Sequence, residues 1–153
     1  MAKQSAGILL YRKTGKVLQV FLVHPGGPFF KNKDDGAWSI PKGEFEADED
    51  PLEAAKREFE EETGQAVSGG FIALNPVKQK GGKTVLAWAV SGDIDPETIT
   101  SNTFEIEWPP RSGKKQTFAE IDRGGWFEIS AAKDKINKAQ ATLLDELAGL
   151  IKL

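Results

Sequence analysis

Asp50–Gly64, DPLEAAKREFEEETG, sets Glu58, Glu60, Glu61 and Glu62 within five residues, just ahead of a glycine. The punctuation predicts a helix over 51–63. Asp50 is a suitable N-cap with Glu53 three residues on, Pro51 stands at the first helical position where its missing N–H costs nothing, and Gly64 suits the left-handed residue past the end. Leu52, Ala55 and Phe59 recur at helical spacing and define a buried face. The glutamates work against this helix, because a C-terminus carries partial negative charge and like charges three or four residues apart repel. Glu58 lies one turn from both Glu61 and Glu62, so three carboxylates share one side. Arg57 reaches Glu61 four residues on, or back toward Glu49 or Glu53, and orients a carboxylate without neutralising the group. A divalent cation would neutralise it.

Composition restricts that cation. The chain has no cysteine and a single histidine, His24, so thiolate-bound zinc and histidine clusters are excluded and any metal is held by oxygen. Magnesium suits carboxylate, carbonyl and water ligands and keeps positions open for substrate phosphate; manganese accepts the same donors. Such a cation would neutralise a pyrophosphate, orient a water and lower its pKa, and a neighbouring carboxylate would take the proton. Charge runs are more commonly solvated helix faces, and the glutamates alone do not decide between the two readings.

Outward from the helix, Ser5–Tyr11 and Val17–His24 read as strands joined by a hairpin turn, and 25–36, PGGPFFKNKDDG, as a loop. After the helix, 71–79 and 83–92 read as strands around Gly81 and Gly82. The stretch 103–125 reads mostly as loop with a strand at Phe104–Trp108, Trp126–Ile129 as a further short strand, and 131–150 as a last helix capped by Ser130, with Ile136, Leu143, Leu144 and Leu147 as its apolar stripe. Strand groups separated by helices indicate a mixed α/β sheet covered on both faces. At 153 residues, 39% hydrophobic and 28% charged, one globular domain over 1–153 is expected. No apolar run approaches a membrane span and the start lacks a signal-peptide pattern, which makes a cytoplasmic location the expectation. A net charge of −3 offers no broad basic surface for duplex nucleic acid.

From Gly43 the chain reads GEFEADEDPLEAAKREFEEETGQ and resembles the Nudix box, G(x5)E(x7)REUxEExGU, where U is a bulky aliphatic residue. Gly43, Glu49, Arg57, Glu58, Glu61, Glu62 and Gly64 fall at the required spacing. Phe59 replaces the first aliphatic position with another apolar residue, and Gln65 stands where the last is usual. The resemblance implies the Nudix α/β/α sandwich, with a central mixed sheet between helices, and hydrolysis of a nucleoside diphosphate linked to another moiety. It further implies that Glu58, Glu61 and Glu62 hold Mg2+ (or Mn2+), with the Gly43 carbonyl as an extra ligand, and that Glu49 and Arg57 brace the loop against the helix. The general base differs among family members; Glu61 and Glu58 are candidates within the box, and Glu120, in TFAEIDRGG, is a candidate base or ligand outside it.

Within the family, WSIPKG, EDPLEAAKREFEEETG and GWFEI look most like the diadenosine polyphosphate hydrolases, so dinucleoside polyphosphates are the expected substrates. Nucleoside triphosphates, oxidised ones included, and RNA 5′ ends are alternatives, as is a silent module that binds a nucleotide or a partner. Lys42 suits a substrate phosphate or a plain surface turn equally. Arg111, Lys114 and Lys115, in PPRSGKKQ, suit a polyphosphate chain or simple solvation. Trp108, beside two prolines, is a candidate to face a nucleobase, whereas Trp38 and Trp126 read as core and His24 as a structural hydrogen-bonding residue.

Overall fold

The structure, a computed structural model, describes residues 4–151. Strands β1 (Gln4–Thr14) and β2 (Val17–Pro25) form the expected antiparallel hairpin, and β3 (Lys42–Glu44) adds antiparallel to the start of β1. Helix α1 (Pro51–Thr63) follows, then β4 (Ile72–Ala73), β5 (Val77–Lys78) and β6 (Thr84–Ser91). Strand β6 runs parallel to β1, with Gln4 opposite Thr84 and Tyr11 opposite Ser91. Next come β7 (Thr103–Glu107), β8 (Lys115–Ala119), β9 (Ile121–Glu128), α2 (Ile129–Lys135) and α3 (Ala141–Leu150). Among the described residues, seven strands form one mixed sheet in the order β4-β6-β1-β2-β9, with β3 on β1 and β5 on β6, and β7-β8 form a separate ribbon.

Period-two alternation divides the core between the faces of the sheet. Ile8, Leu10, Phe21, Val23 and Val90 point to α1 and meet Ala54, Ala55 and Phe59. Leu9, Val20, Leu22, Val85 and Ala87 point the other way, to Ala132 of α2 and Leu143, Leu144 and Leu147 of α3. The result is the expected α/β/α sandwich. Burying the Phe59 ring contributes about 2–3 kcal/mol and fixes α1 on the sheet. The α1 termini form as the sequence indicates: the Asp50 carboxylate accepts from the Glu53 N–H at 3.0 Å, and Gly64, at φ 78°, donates its N–H to the Glu60 carbonyl.

Three segments depart from the expectation. The stretch 103–125 holds a hairpin and most of β9 instead of loop; β8 is nearly all exposed, so it carries no hydrophobic alternation to announce it. The 71–79 strand is split around Asn75-Pro76, where proline has no N–H for the ladder and the Asn75 N–H goes to Glu146 at 2.8 Å. The final helix breaks at Ile136, which turns extended and bridges Trp38, and Asn137 donates its N–H to the Trp38 carbonyl while its side chain accepts from Ala139. Such local bonding by Asn competes with helix continuation. Ser130 lies inside α2, whose N-cap is Glu128. No helix among the described residues is long and apolar enough to cross a membrane.

Candidate active site

Beside the last turns of α1, a polar pocket of about 390 Å³ brings together Glu58, Glu61, Glu62, Glu120, Lys42 and Gly43. Two backbone arrangements create it. Strand β3 places Gly43 opposite Ala6 of β1, so close to α1 that a Cβ on Gly43 would stand 2.1 Å from Glu58 Oε2. Only glycine leaves room for that carboxylate. On the other side, the last carbonyls of α1 lack helical partners and accept from an incoming segment: Thr100 N–H donates to Thr63 O and Asn102 N–H to Glu61 O, both at 2.8 Å. The Glu120 N–H in turn donates to Asn102 O at 2.8 Å. Capping α1 thereby carries Glu120 into the pocket.

Arg57 organises the rim. Its Nε and Nη2 donate to the two oxygens of Glu49 at 2.9 and 3.1 Å, a bidentate pair that ties the loop before α1 to the helix. Its Nη1 donates to Glu58 at 2.9 Å and Glu61 at 3.2 Å. The guanidinium holds Glu49 below the ordinary carboxylate range. Glu58 is pushed up, first by burial and then by the charge of Glu61, with Arg57 opposing. Glu62 is 9% exposed, and burial pushes its pKa up to about 8, against the opposing influence of Lys42, whose backbone N–H lies 3.3 Å away; Glu58 and Glu120 add repulsion.

These groups fit a hard divalent cation. The donors are all oxygen, and Glu62 is a buried carboxylate to which no side chain among the described residues is ion-paired, since Arg57 serves Glu49, Glu58 and Glu61. Among the described residues, no three His, Cys, Asp or Glu side chains are placed so as to hold a metal ion together; Glu58 and Glu61 are instead paired with Arg57. A cation with two positive charges competes with a single guanidinium for the same oxygens.

Lys83, Asn102, Ser5 and Glu44 also line the pocket, and the sequence reading missed them. Lys83 arrives through the parallel pairing of β6 with β1, and its Nζ lies 3.8 Å from Glu44 Oε1; its place after the Gly81-Gly82 turn was the available signal. Arg111 and Lys114 sit instead at the tip of the β7–β8 hairpin, where the Arg111 N–H donates to Glu107 and the Lys114 N–H to Ser112 Oγ. Five strand residues, roughly 17 Å, separate them from the Asn102–Glu120 end. Lys115 faces Glu105 at 3.9 Å, and Trp108 lines a second cavity. His24 is fully buried, with Nδ1 2.9 Å from Asp122 Oδ1, Nε2 2.6 Å from Lys33 O, and its ring edge-on to Trp38, which is a structural role. Trp38 is core; Trp126 is half-buried beneath the Arg12 guanidinium at 4.1 Å.

A mixed sheet between helical layers, with Glu58, Glu61 and Glu62 gathered in an acidic pocket at one helix end, defines an α/β/α sandwich that carries its polar site at the end of α1. The chain belongs to the Nudix family, matching the NUDIX domain over residues 1–147. It is 37% identical over 65 residues to an RNA pyrophosphohydrolase of Gluconacetobacter diazotrophicus, covering 40% of this chain and 36% of that protein. To an octanoyltransferase of Myxococcus xanthus it is 30% identical over 101 residues, 66% of this chain and 25% of that one. The matches therefore span about a quarter and about a third of those relatives. In structure it resembles a C. elegans Ap4A hydrolase binary complex (TM-score 0.64, 21% identity, 97% of each chain). It also resembles the NUDIX domain of Shewanella oneidensis NrtR complexed with ADP ribose (TM-score 0.65, 14% identity, 99% of this chain and 90% of that one). Both likenesses show the shared fold.

Proposed function

We propose that this chain is a magnesium-dependent pyrophosphohydrolase whose preferred substrates are dinucleoside polyphosphates such as diadenosine tetraphosphate. The observation that carries it is the gathering of Glu58, Glu61, Glu62 and Glu120 with Lys42 and Lys83 in one pocket. Glu58, Glu61 and Glu62, with the Gly43 carbonyl, would hold the cation, and Glu120 completes the set. Bound there, Mg2+ would neutralise the pyrophosphate and acidify the attacking water. The chain's own residues do the rest. Lys42 and Lys83 bind phosphate oxygens, Arg57 and Glu49 fix the loop, and Glu61, the most accessible of the three α1 carboxylates in the pocket, takes the proton from water as general base. Manganese suits the same donors. A cytoplasmic setting goes with the substrate class.

The lean to dinucleotides is supported by the sequence likeness of WSIPKG, the acidic helix and GWFEI to diadenosine polyphosphate hydrolases, and is compatible with the fold shared with the C. elegans protein. The curated relative that is an RNA pyrophosphohydrolase supports a second reading, removal of pyrophosphate from RNA 5′ ends; the net charge of −3 disfavours it. Turnover of dinucleoside tetraphosphate, nucleoside triphosphates and 5′-triphosphorylated RNA, with and without magnesium, separates them. The expected outcome is metal-dependent preference for the dinucleotide, lost in Glu61→Gln and Glu62→Gln variants that remain folded. Equal rates on all three, or full activity in both variants, would refute the assignment.

A further inference from the structure

The loop after β2 and the β7–β8 hairpin enclose a second cavity of about 420 Å³, lined by Gly27, Pro28, Lys31, Trp108, Gln116 and Phe118. Its composition is unusual for a surface. The adjoining Phe29 is 61% exposed and meets Trp108 edge to face at 5.4 Å, and Phe30 next to it is 37% exposed. Exposed aromatic rings grouped beside cations mark a binding site more often than a solvated loop.

The hairpin is built onto the acidic pocket. The Gly26 N–H donates to the Glu120 carbonyl at 2.8 Å, and a Cβ on Gly26 would stand 2.1 Å from the Ala119 carbonyl oxygen, so this loop closes on the hairpin only with glycine there. The β7–β8 register sets Phe104 opposite Phe118 and Ile106 opposite Gln116. Along β8, Gln116 and Phe118 line the cavity, and Glu120, two residues beyond Phe118, lines the acidic pocket. Each such step advances roughly 7 Å, so the cleft begins one step from Glu120 at Phe118 and extends past Gln116 to Trp108 at the hairpin tip, a span of roughly 20 Å that a nucleoside with its polyphosphate chain covers.

We propose that this cleft binds the nucleobase of the substrate whose phosphates occupy the acidic pocket, with Trp108 and Phe118 as stacking surfaces. The inference rests on the proposed action at nucleotide pyrophosphates and assigns its base specificity. Aromatic faces accept any base. Discrimination falls to Gln116: its Nε2 donates to the Trp108 carbonyl at 2.8 Å, leaving its Oε1 as an acceptor for the exocyclic amine of an amino-bearing base such as adenine. Lys31 supplies a cation at the rim.

The test is calorimetric binding of two magnesium complexes, a methylene-bridged non-hydrolysable ATP analogue and base-free inorganic triphosphate, to the full chain. Trp108→Ala and Phe118→Ala are each expected to weaken the analogue about tenfold and to leave triphosphate within about twofold, with Trp108→Phe restoring most of the loss. Gln116→Leu should narrow the preference for the adenine analogue over its inosine counterpart. Thermal melts of every variant identify any that fail to fold. Equal wild-type affinity for the two probes, or equal weakening of both in the variants, overturns the proposal, as a macromolecular docking role for the aromatics would require. Analogue binding that depends on Trp108 without hydrolysis of any nucleotide would refute the proposed activity and sustain the cleft. Hydrolysis indifferent to Trp108 and Phe118 would do the reverse.

Discussion

Replacing Glu62 with Gln in the metal-free protein isolates the cost of keeping that carboxylate buried. In the folded chain its pKa is pushed up to about 8, against 4.5 in the absence of the fold, chiefly by burial. Between those values the folded protein holds a proton that the unfolded chain releases. Its contribution to stability is therefore fully present below about pH 4.5 and is lost as pH rises toward 8. At 1.36 kcal/mol per pH unit of separation, the whole window is worth at most about 5 kcal/mol, and the part between pH 5 and pH 8 about 3 kcal/mol. Gln keeps an acceptor for the Lys42 N–H and nearly the same volume but does not titrate. Urea unfolding in chelator at pH 5 and pH 8 measures the difference directly. The wild type should lose about 3 kcal/mol more than Glu62→Gln over that interval, and saturating magnesium, which stabilises the ionised carboxylate, should close most of the gap. Parallel pH dependence of the two proteins in chelator would refute the reasoning.

The other outcomes follow from the same geometry. Gly43→Ala sets a Cβ 2.1 Å from Glu58 Oε2 and displaces that carboxylate, so magnesium affinity by calorimetry should fall at least about tenfold, as for disruption of a ligand's support; unchanged affinity would remove Glu58 from the metal set. Arg57→Lys replaces a bidentate fork with a point charge, and kcat should drop by about tenfold or more with little change in KM; wild-type kcat would show that the Glu49 brace is dispensable. Asp50→Ala removes the cap on the Glu53 N–H and should cost about 1 kcal/mol in unfolding while the KM for magnesium stays constant. Calorimetric magnesium titration at pH 7 in buffers of differing ionisation enthalpy should show release of close to one proton per site, since Glu62 must ionise to act as a ligand.

The acidic helix and its bracing were legible because they are local. Asp50, Pro51 and Gly64 act within one turn of their positions, and the helical period alone places Glu58, Glu61 and Glu62 together. Glu49 and Arg57, eight residues apart across the helix start, pair as the resemblance to the Nudix box implied, where spacing alone left Glu49 and Glu53 both open to Arg57. The last helix was misread at Ile136 because a side chain that fits an apolar stripe fits equally well under a strand-like bridge to Trp38, and periodicity cannot separate the two. Strand β8 left no trace because its residues face water on nearly every position.

By itself, the sequence determined the helix, its carboxylate cluster and the predominance of oxygen donors, with no cysteine and a single histidine, since each depends on contacts within a turn or two and on which side chains the chain possesses. Tertiary structure decided the rest: Lys83 enters the pocket through parallel pairing of β6 with β1, Glu120 through the hydrogen bonds that finish α1, and Arg111 and Lys114 are carried away to a hairpin tip. These placements depend on strand register and on which distant backbone satisfies the end of a helix. Such pairings join residues tens of positions apart, and no local pattern of side chains records them.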